Sequence, residues 1–229
     1  MLSYSVNIQY PGTFLDLADN KTASEVYMLI NTMNGQLNDA ALVLSCYQKE
    51  KNRFIKIIQA QPEANINKIH HYSQFTHIYA NYFVYALAIF GNCLNAIAND
   101  YKLPRNVHQL RDNYKKKSPT LWNIRNSLMH IEDRARALGR TGKKGKKAKM
   151  QIKGNLLILG ALLFSNDRLE CTIANGSRQQ IEISKETLKI AEGTLQDLIN
   201  SLPWAGRPHG YLTDKAFQRL IKSFKKIAK

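Results

Sequence analysis

Cysteine is scarce: Cys46, Cys93 and Cys171 are the only three, far apart and odd in number. That pattern fits reduced thiols of an intracellular protein better than a disulfide framework, and no CxxC pair suggests zinc. Acidic residues are also thin, with 17 Asp and Glu against 33 Lys and Arg and a formal charge of +16. A bias of this size points to a polyanionic partner such as RNA, DNA or an acidic membrane, without naming a reaction. The opening residues, "MLSYSVNIQYPGTFLDLADN", lack a basic leader and a sustained apolar core. No secretory signal is therefore expected, and the cytoplasm is the expected compartment.

Charge of either sign is missing altogether between Lys68 and Asp100. The run is long enough to cross a bilayer, but His70, His71, Gln74, His77, Asn81, Asn92 and Asn95 interrupt it at a density that is costly in hydrocarbon. Ile78, Tyr82, Tyr85, Ile89, Cys93 and Ile97 recur every three or four positions, the spacing of a helix packed in a protein interior. A buried central helix, and no membrane span, is the expectation.

With 229 residues the chain is long enough to bury a sizeable core, and it reads as one domain. A first long helix is expected from Ala23 to about Ala60, carried by Val26, Leu29, Ile30, Met33, Leu37, Leu42, Leu44, Tyr47, Phe54, Ile57 and Ile58, with a bend at Gly35. "QPEANIN" breaks it, and the uncharged helix follows from about Asn65 to Asp100. Pro104 and Pro119 bracket a short, basic, partly helical connection. Ser118 as N-cap with Pro119 in the first turn then predicts a third major helix ending near Gly139. Residues 139–150 read as a mobile Gly/Lys loop, since "GRTGKKGKKAK" holds no large apolar residue to anchor it. Over 151–184, "NLLILGALLF", "RLECTIA" and "QQIEIS" are separated by "SNDR" and "NGSR" and predict a three-stranded antiparallel meander, with Asn175-Gly176 the clearest turn. Ser184 opens a helix through about Leu202, and a last basic amphipathic helix is expected from Thr213. The fold class is mainly α, an antiparallel helical bundle with a small β-meander.

Within the third helix, "LWNIRNSLMH" places Leu121, Ile124, Leu128, Ile131, Ala135 and Leu138 on one stripe. Trp122 and Met129 form a second apolar side near Arg125, Asn126 and Asp133, where another helix or subunit would pack. Asn126 and His130 face the same way, whereas Arg125 and His130 point about 140° apart. Two copies of the helix related by a two-fold axis would let His130 of one approach Arg125 of the other.

Arg-Asn-x3-His, following a long uncharged helix, resembles the signature of the HEPN superfamily, in which Arg, often followed by a polar residue, precedes His by four to six positions. The resemblance spans roughly residues 23–139. It implies a dimerising helical bundle, and many members resemble metal-independent endoribonucleases of toxin, phage-defence or RNA-processing systems. Arg125, Asn126 and His130 are then the implied catalytic residues. Glu132 stands where a related subgroup carries a modifiable Tyr.

These side chains suit metal-independent cleavage of RNA. That reaction needs a base for the 2′-OH proton, a cation for the charge growing on phosphorus, and an acid for the leaving 5′-oxygen. Imidazole serves as base or acid near neutrality, Arg125 offers planar donors to phosphate oxygens, and Asn126 can donate to phosphate or fix the imidazole. Lys143, Lys144, Lys146 and Lys147 would recruit the strand electrostatically. No cofactor and no metal are expected: His70 and His77 stand about 10 Å apart along a helix, too far to share an ion. The expected partners are RNA, a second copy of the chain, and a neutralising protein or nucleic acid. A non-catalytic RNA- or protein-binding module on the same fold is the competing expectation.

Overall fold

The computed structural model describes residues 4–60, 66–130, 138–141, 147–149, 162–163 and 167–210. It is mainly helical, 68% of the described residues, with a few short antiparallel strands. Two brief strands, β1 (Gln9–Tyr10) and β2 (Phe14–Leu15), precede a 41-residue helix α1 (Asn20–Ala60). Helix α2 (Ile66–Asp100) follows after a five-residue link and packs along α1 as a helical hairpin. Helices α3 (Arg105–Lys117) and α4 (Leu121–Met129) then lie against α2. Strands β3 (Leu138–Thr141) and β4 (Lys147–Lys149) pair antiparallel. In the sheet of β5 (Leu162–Leu163), β6 (Arg168–Thr172) and β7 (Arg178–Glu182), β6 is central and both neighbours run antiparallel to it. Helix α5 (Lys185–Asn200) returns to α1, and β8 (Trp204–Ala205) and β9 (His209–Gly210) close onto β2 and β1.

The core sits between α1, α2, α4, α5 and one face of the β6–β7 ladder. Val26, Ile30, Met33, Leu37, Leu44 and Tyr47 of α1 are fully buried, at the three- and four-residue spacing expected of them. Leu42 and Ile58, counted with that stripe from sequence, are 63% and 42% exposed and belong to the outer side. Helix α1 runs unbroken through Gly35, where a methyl group would meet nothing within 4 Å.

Helix α2 corrects the sequence reading more sharply. Its buried residues include Ala80, Phe83, Val84, Leu87, Phe90, Leu94, Ile97 and Ala98. Of the stripe taken for the core, Cys93 and Ile97 are buried, but Ile78, Tyr82 and Ile89 are 57%, 51% and 39% exposed. Two apolar stripes run along this helix, and periodicity cannot tell which one the rest of the chain covers. Over Gln74–Asp100 the helix is long and apolar enough to cross a membrane, yet 56% of the qualifying window is buried inside the protein.

Two local signals act as the sequence suggests. Ser184 is the N-cap of α5, its Oγ accepting the Thr187 N–H at 3.2 Å. Gly176 takes φ +82° in the turn between β6 and β7, and Asn175 Oδ1 accepts the Ser177 N–H at 2.9 Å. The other end of that sheet is fastened by Asp167. Its carboxylate accepts the Tyr47 hydroxyl at 2.5 Å and Lys51 Nζ at 2.6 Å, and its carbonyl accepts the Ile183 N–H at 2.8 Å. Three fixed contacts explain how Asp167 holds φ +62°, a conformation that costs a non-glycine residue about 1 kcal/mol or more.

The final helix expected from Thr213, and most of "NLLILGALLF", lie outside the described residues. Strand pairing of Leu138–Thr141 with Lys147–Lys149 occupies both ends of the segment expected to be a mobile loop.

Candidate functional site

Helix α4 is shorter than its sequence suggests and starts differently. Ser118 is the C-cap of α3, its N–H donating to the Tyr114 carbonyl, so it does not cap α4. Thr120 takes the N-cap position, and its hydroxyl donates to the Gln180 carbonyl at 2.7 Å instead of capping the helix. At the other end the helix stops at Met129, and His130 leaves helical geometry at φ −122°, ψ 44° while its N–H still reaches the Asn126 carbonyl at 3.2 Å. No Gly or Pro follows until Gly139, so the stop has no local sequence signal. Residues 131–137 lie outside the described residues, and at Leu138 the backbone is a strand, so the helix does not reach Gly139.

Tertiary contacts fix α4 tightly. Leu121, Ile124 and Leu128 are buried, as their spacing predicts. The Ser127 hydroxyl donates to the Thr172 carbonyl at 3.0 Å, and Asn123 Nδ2 donates to Gln179 Oε1 at 3.1 Å, so the sheet holds the face next to the core. On the other flank Trp122 packs edge-on to Tyr114 with ring centroids 5.8 Å apart, and its Nε1 donates to Asn92 Oδ1 at 3.0 Å. Trp122 therefore closes on α2, and only Met129 of the second apolar side is exposed, at 50%.

The three motif residues emerge together at the surface. Arg125 is half-buried, and Asn126 and His130 are exposed. Arg125 Nη1 donates to Asn126 Oδ1 at 3.1 Å, which fixes the guanidinium with a neutral partner and leaves its charge uncancelled by that contact. The guanidinium also faces α2: burial raises the Tyr85 phenol above its ordinary value, and Arg125 pulls it the other way. Tyr85, which Arg125 influences, lies on the outer stripe of α2, where Ile78, Tyr82 and Ile89 are exposed and no charged residue occurs between Ile69 and Asn99.

One feature of this geometry opposes anion binding. His130 sits where α4 exposes its last carbonyls, the end that carries partial negative charge. A phosphate placed there depends on Arg125 for compensation.

The other expected site residues are not brought to this place. Lys143, Lys144 and Lys146 lie outside the described residues, and Lys147 is described only as the first residue of β4. His77 is half-buried, and burial lowers its imidazole below the ordinary value. Among the described residues no group of three His, Cys, Asp or Glu side chains is arranged to hold a metal ion. A cavity of about 620 Å³ opens on the outer face of α1, bordered by Tyr4, Leu42, Ser45, Lys49, Arg53 and Lys56. None of Arg125, Asn126 and His130 lines it.

Sequence reasoning passed over α3, treated only as a connection. It is a complete 13-residue helix with Lys115, Lys116 and Lys117 in its last turn and no acidic residue in its first. Its buried Val107 and Tyr114, seven apart, were the available signal that it packs as a helix.

No protein-family model matches the chain, and no curated protein or solved structure is significantly similar to it.

Proposed function

We propose that this chain is a metal-independent, HEPN-like endoribonuclease that works as a homodimer in the cytoplasm, as a toxin or phage-defence component. In this reading the helices form a HEPN-like bundle carrying a three-stranded meander. The observation that carries it is the surface position of Arg125, Asn126 and His130, with Arg125 bonded to Asn126 and acting on Tyr85 of the uncharged helix α2. A second copy would cover the outer stripe of α2 and bring two imidazoles and two guanidiniums to one cleft. His130 acts as general base or acid, Arg125 stabilises charge developing on the phosphate, and Asn126 orients Arg125, to which it is already bonded. Attack of the 2′-oxygen on phosphorus would leave a 2′,3′-cyclic phosphate and a free 5′-hydroxyl.

The test is incubation of the purified protein with RNA in excess chelator. Cleavage to those ends, abolished in His130→Ala with RNA binding retained, supports the enzyme. Absence of cleavage by the unaltered chain, or unchanged cleavage by His130→Ala, overturns it.

A second reading is favoured by two contacts. Arg125 is engaged by its own neighbour, and His130 stands at the negative end of α4. Both fit a non-catalytic module in which basic side chains hold RNA or a protein partner. That reading predicts salt-dependent RNA affinity without cleavage.

A further inference from the structure

Between Tyr101 and His130 the chain carries seven Lys and Arg and a single acid, Asp112. Most of this charge is on α3 and the loop before it. Lys102, Arg105, Lys115, Lys116 and Lys117 are all exposed, and among the described residues none of the five pairs with a carboxylate. Arg111 differs, since Asp112 neutralises it at 2.9 Å.

Helix stability accounts for only part of this pattern. Lysines in a last turn are favourable, because they face the negative end of the helix. Arg105 in the first turn, with Lys102 just before it, faces the positive end, and neither an acidic residue nor a side-chain cap offsets it. A helix shaped by stability alone would carry the opposite charge there.

Side-chain amides accept from several of these cations, and at Lys115 and Arg125 no carboxylate pairs with the same group among the described residues. Asn95 Oδ1 of α2 accepts Lys115 Nζ at 3.0 Å, Asn99 accepts from Arg111, and Asn126 holds Arg125 in the same way. At Lys115 and Arg125 a neutral amide thus orients a basic group where a carboxylate would have quenched it, whereas Arg111 has both an amide and Asp112. From Arg105 to Lys117 the helix is about 18 Å long at 1.5 Å per residue, enough for several consecutive phosphates.

We propose that α3 and Lys102 form the surface that grips an RNA strand through its phosphates, leading it toward Arg125 and His130. This assignment rests on the reading of the chain as one that acts on RNA. Val107 and Tyr114, the buried residues of α3, are turned into the core, which leaves no apolar face for insertion into a bilayer.

The experiment measures binding without cleavage. The probe is a fluorescent 2′-O-methyl RNA oligonucleotide, which lacks the attacking hydroxyl, read by anisotropy across a salt series. Replacing Lys115, Lys116 and Lys117 by Gln is expected to weaken binding about tenfold or more. It should also flatten the dependence of log K on log salt by about 2, at about 0.7 per lost phosphate contact. Lys102→Gln with Arg105→Gln, at the far end of α3, is expected to act in the same direction and guards against a local defect in the first variant. Unchanged affinity and slope in both, with native circular dichroism, overturn the proposal. Loss of affinity confined to a variant of Lys143, Lys144, Lys146 and Lys147 also overturns it. So does binding only to anionic vesicles or to an acidic protein. Failure of the nuclease reading is visible separately, as absence of cleavage of unmodified RNA by a chain that still binds this probe.

Discussion

Exchanging Gly91 for alanine tests whether α4 is positioned by its close approach to α2. Gly91 is buried, and a methyl group there would stand 3.0 Å from both Trp122 Cη2 and Tyr114 Cε1, and closer still to Trp122 Cζ2. The indole cannot simply swing aside, because it packs on Tyr114 and its Nε1 is bonded to Asn92. Replacing a helical glycine by alanine contributes about 1 kcal/mol of helix propensity. Against this stand overpacking of about 1–3 kcal/mol and a hydrogen bond of about 1 kcal/mol strained or lost. The net expectation is a loss of about 1–3 kcal/mol, a fall in Tm of roughly 2–12 °C for a chain of this size. Gly35→Ala is the matched control, because its methyl group would meet nothing within 4 Å in the same kind of helix. It should raise Tm by about 2–4 °C. Thermal unfolding followed by circular dichroism reads both, and tryptophan fluorescence reports whether Trp122 has moved. Equal or increased stability of Gly91→Ala would show that Trp122 does not hold α4 against α2.

Burial raises the Tyr47 and Tyr114 phenols above their ordinary range, and at Tyr47 the hydrogen bond and charge of Asp167 add to this. A raised folded value means that the folded state keeps protons the unfolded chain releases. Their contribution is full below about pH 10 and declines above it by about 1.4 kcal/mol per pH unit for each phenol. Urea melts at pH 8, 10 and 11 should show this decline, and Tyr114→Phe should reduce its slope; a pH-independent midpoint contradicts it. Ser184→Ala removes the cap on α5 and is expected to lower stability by about 1 kcal/mol, measured as a shift in the urea midpoint. Tyr47→Phe removes a buried hydrogen bond to a carboxylate and should lower stability by about 1.5–3 kcal/mol, unless Lys51 alone secures Asp167.

Several features could be read locally because their causes are local. The spacing of Val26, Ile30, Met33, Leu37 and Leu44 marks the buried side of α1, and that of Leu188, Ala191, Leu195 and Leu198 marks α5. Ser184 and Asn175-Gly176 act through bonds within three residues. At the candidate site, the buried face of α4 and the surface position of Arg125 and Asn126 follow from the same wheel. The role of Ser118 did not, because a serine before a proline looks like a cap even where the preceding helix claims its N–H.

By itself the sequence determined that α1, α2 and α5 are helical, how strongly basic the chain is, and that its longest apolar stretch carries no charge. Each of these depends on side-chain spacing or composition within one segment. Only the tertiary structure decided which of two apolar stripes of α2 is covered, since burial depends on the partner that arrives and not on the stripe. The same holds for the end of α4, which stops at Met129 with no local stop signal in the sequence. His130 consequently stands at a helix terminus, a placement that no periodicity in the sequence encodes.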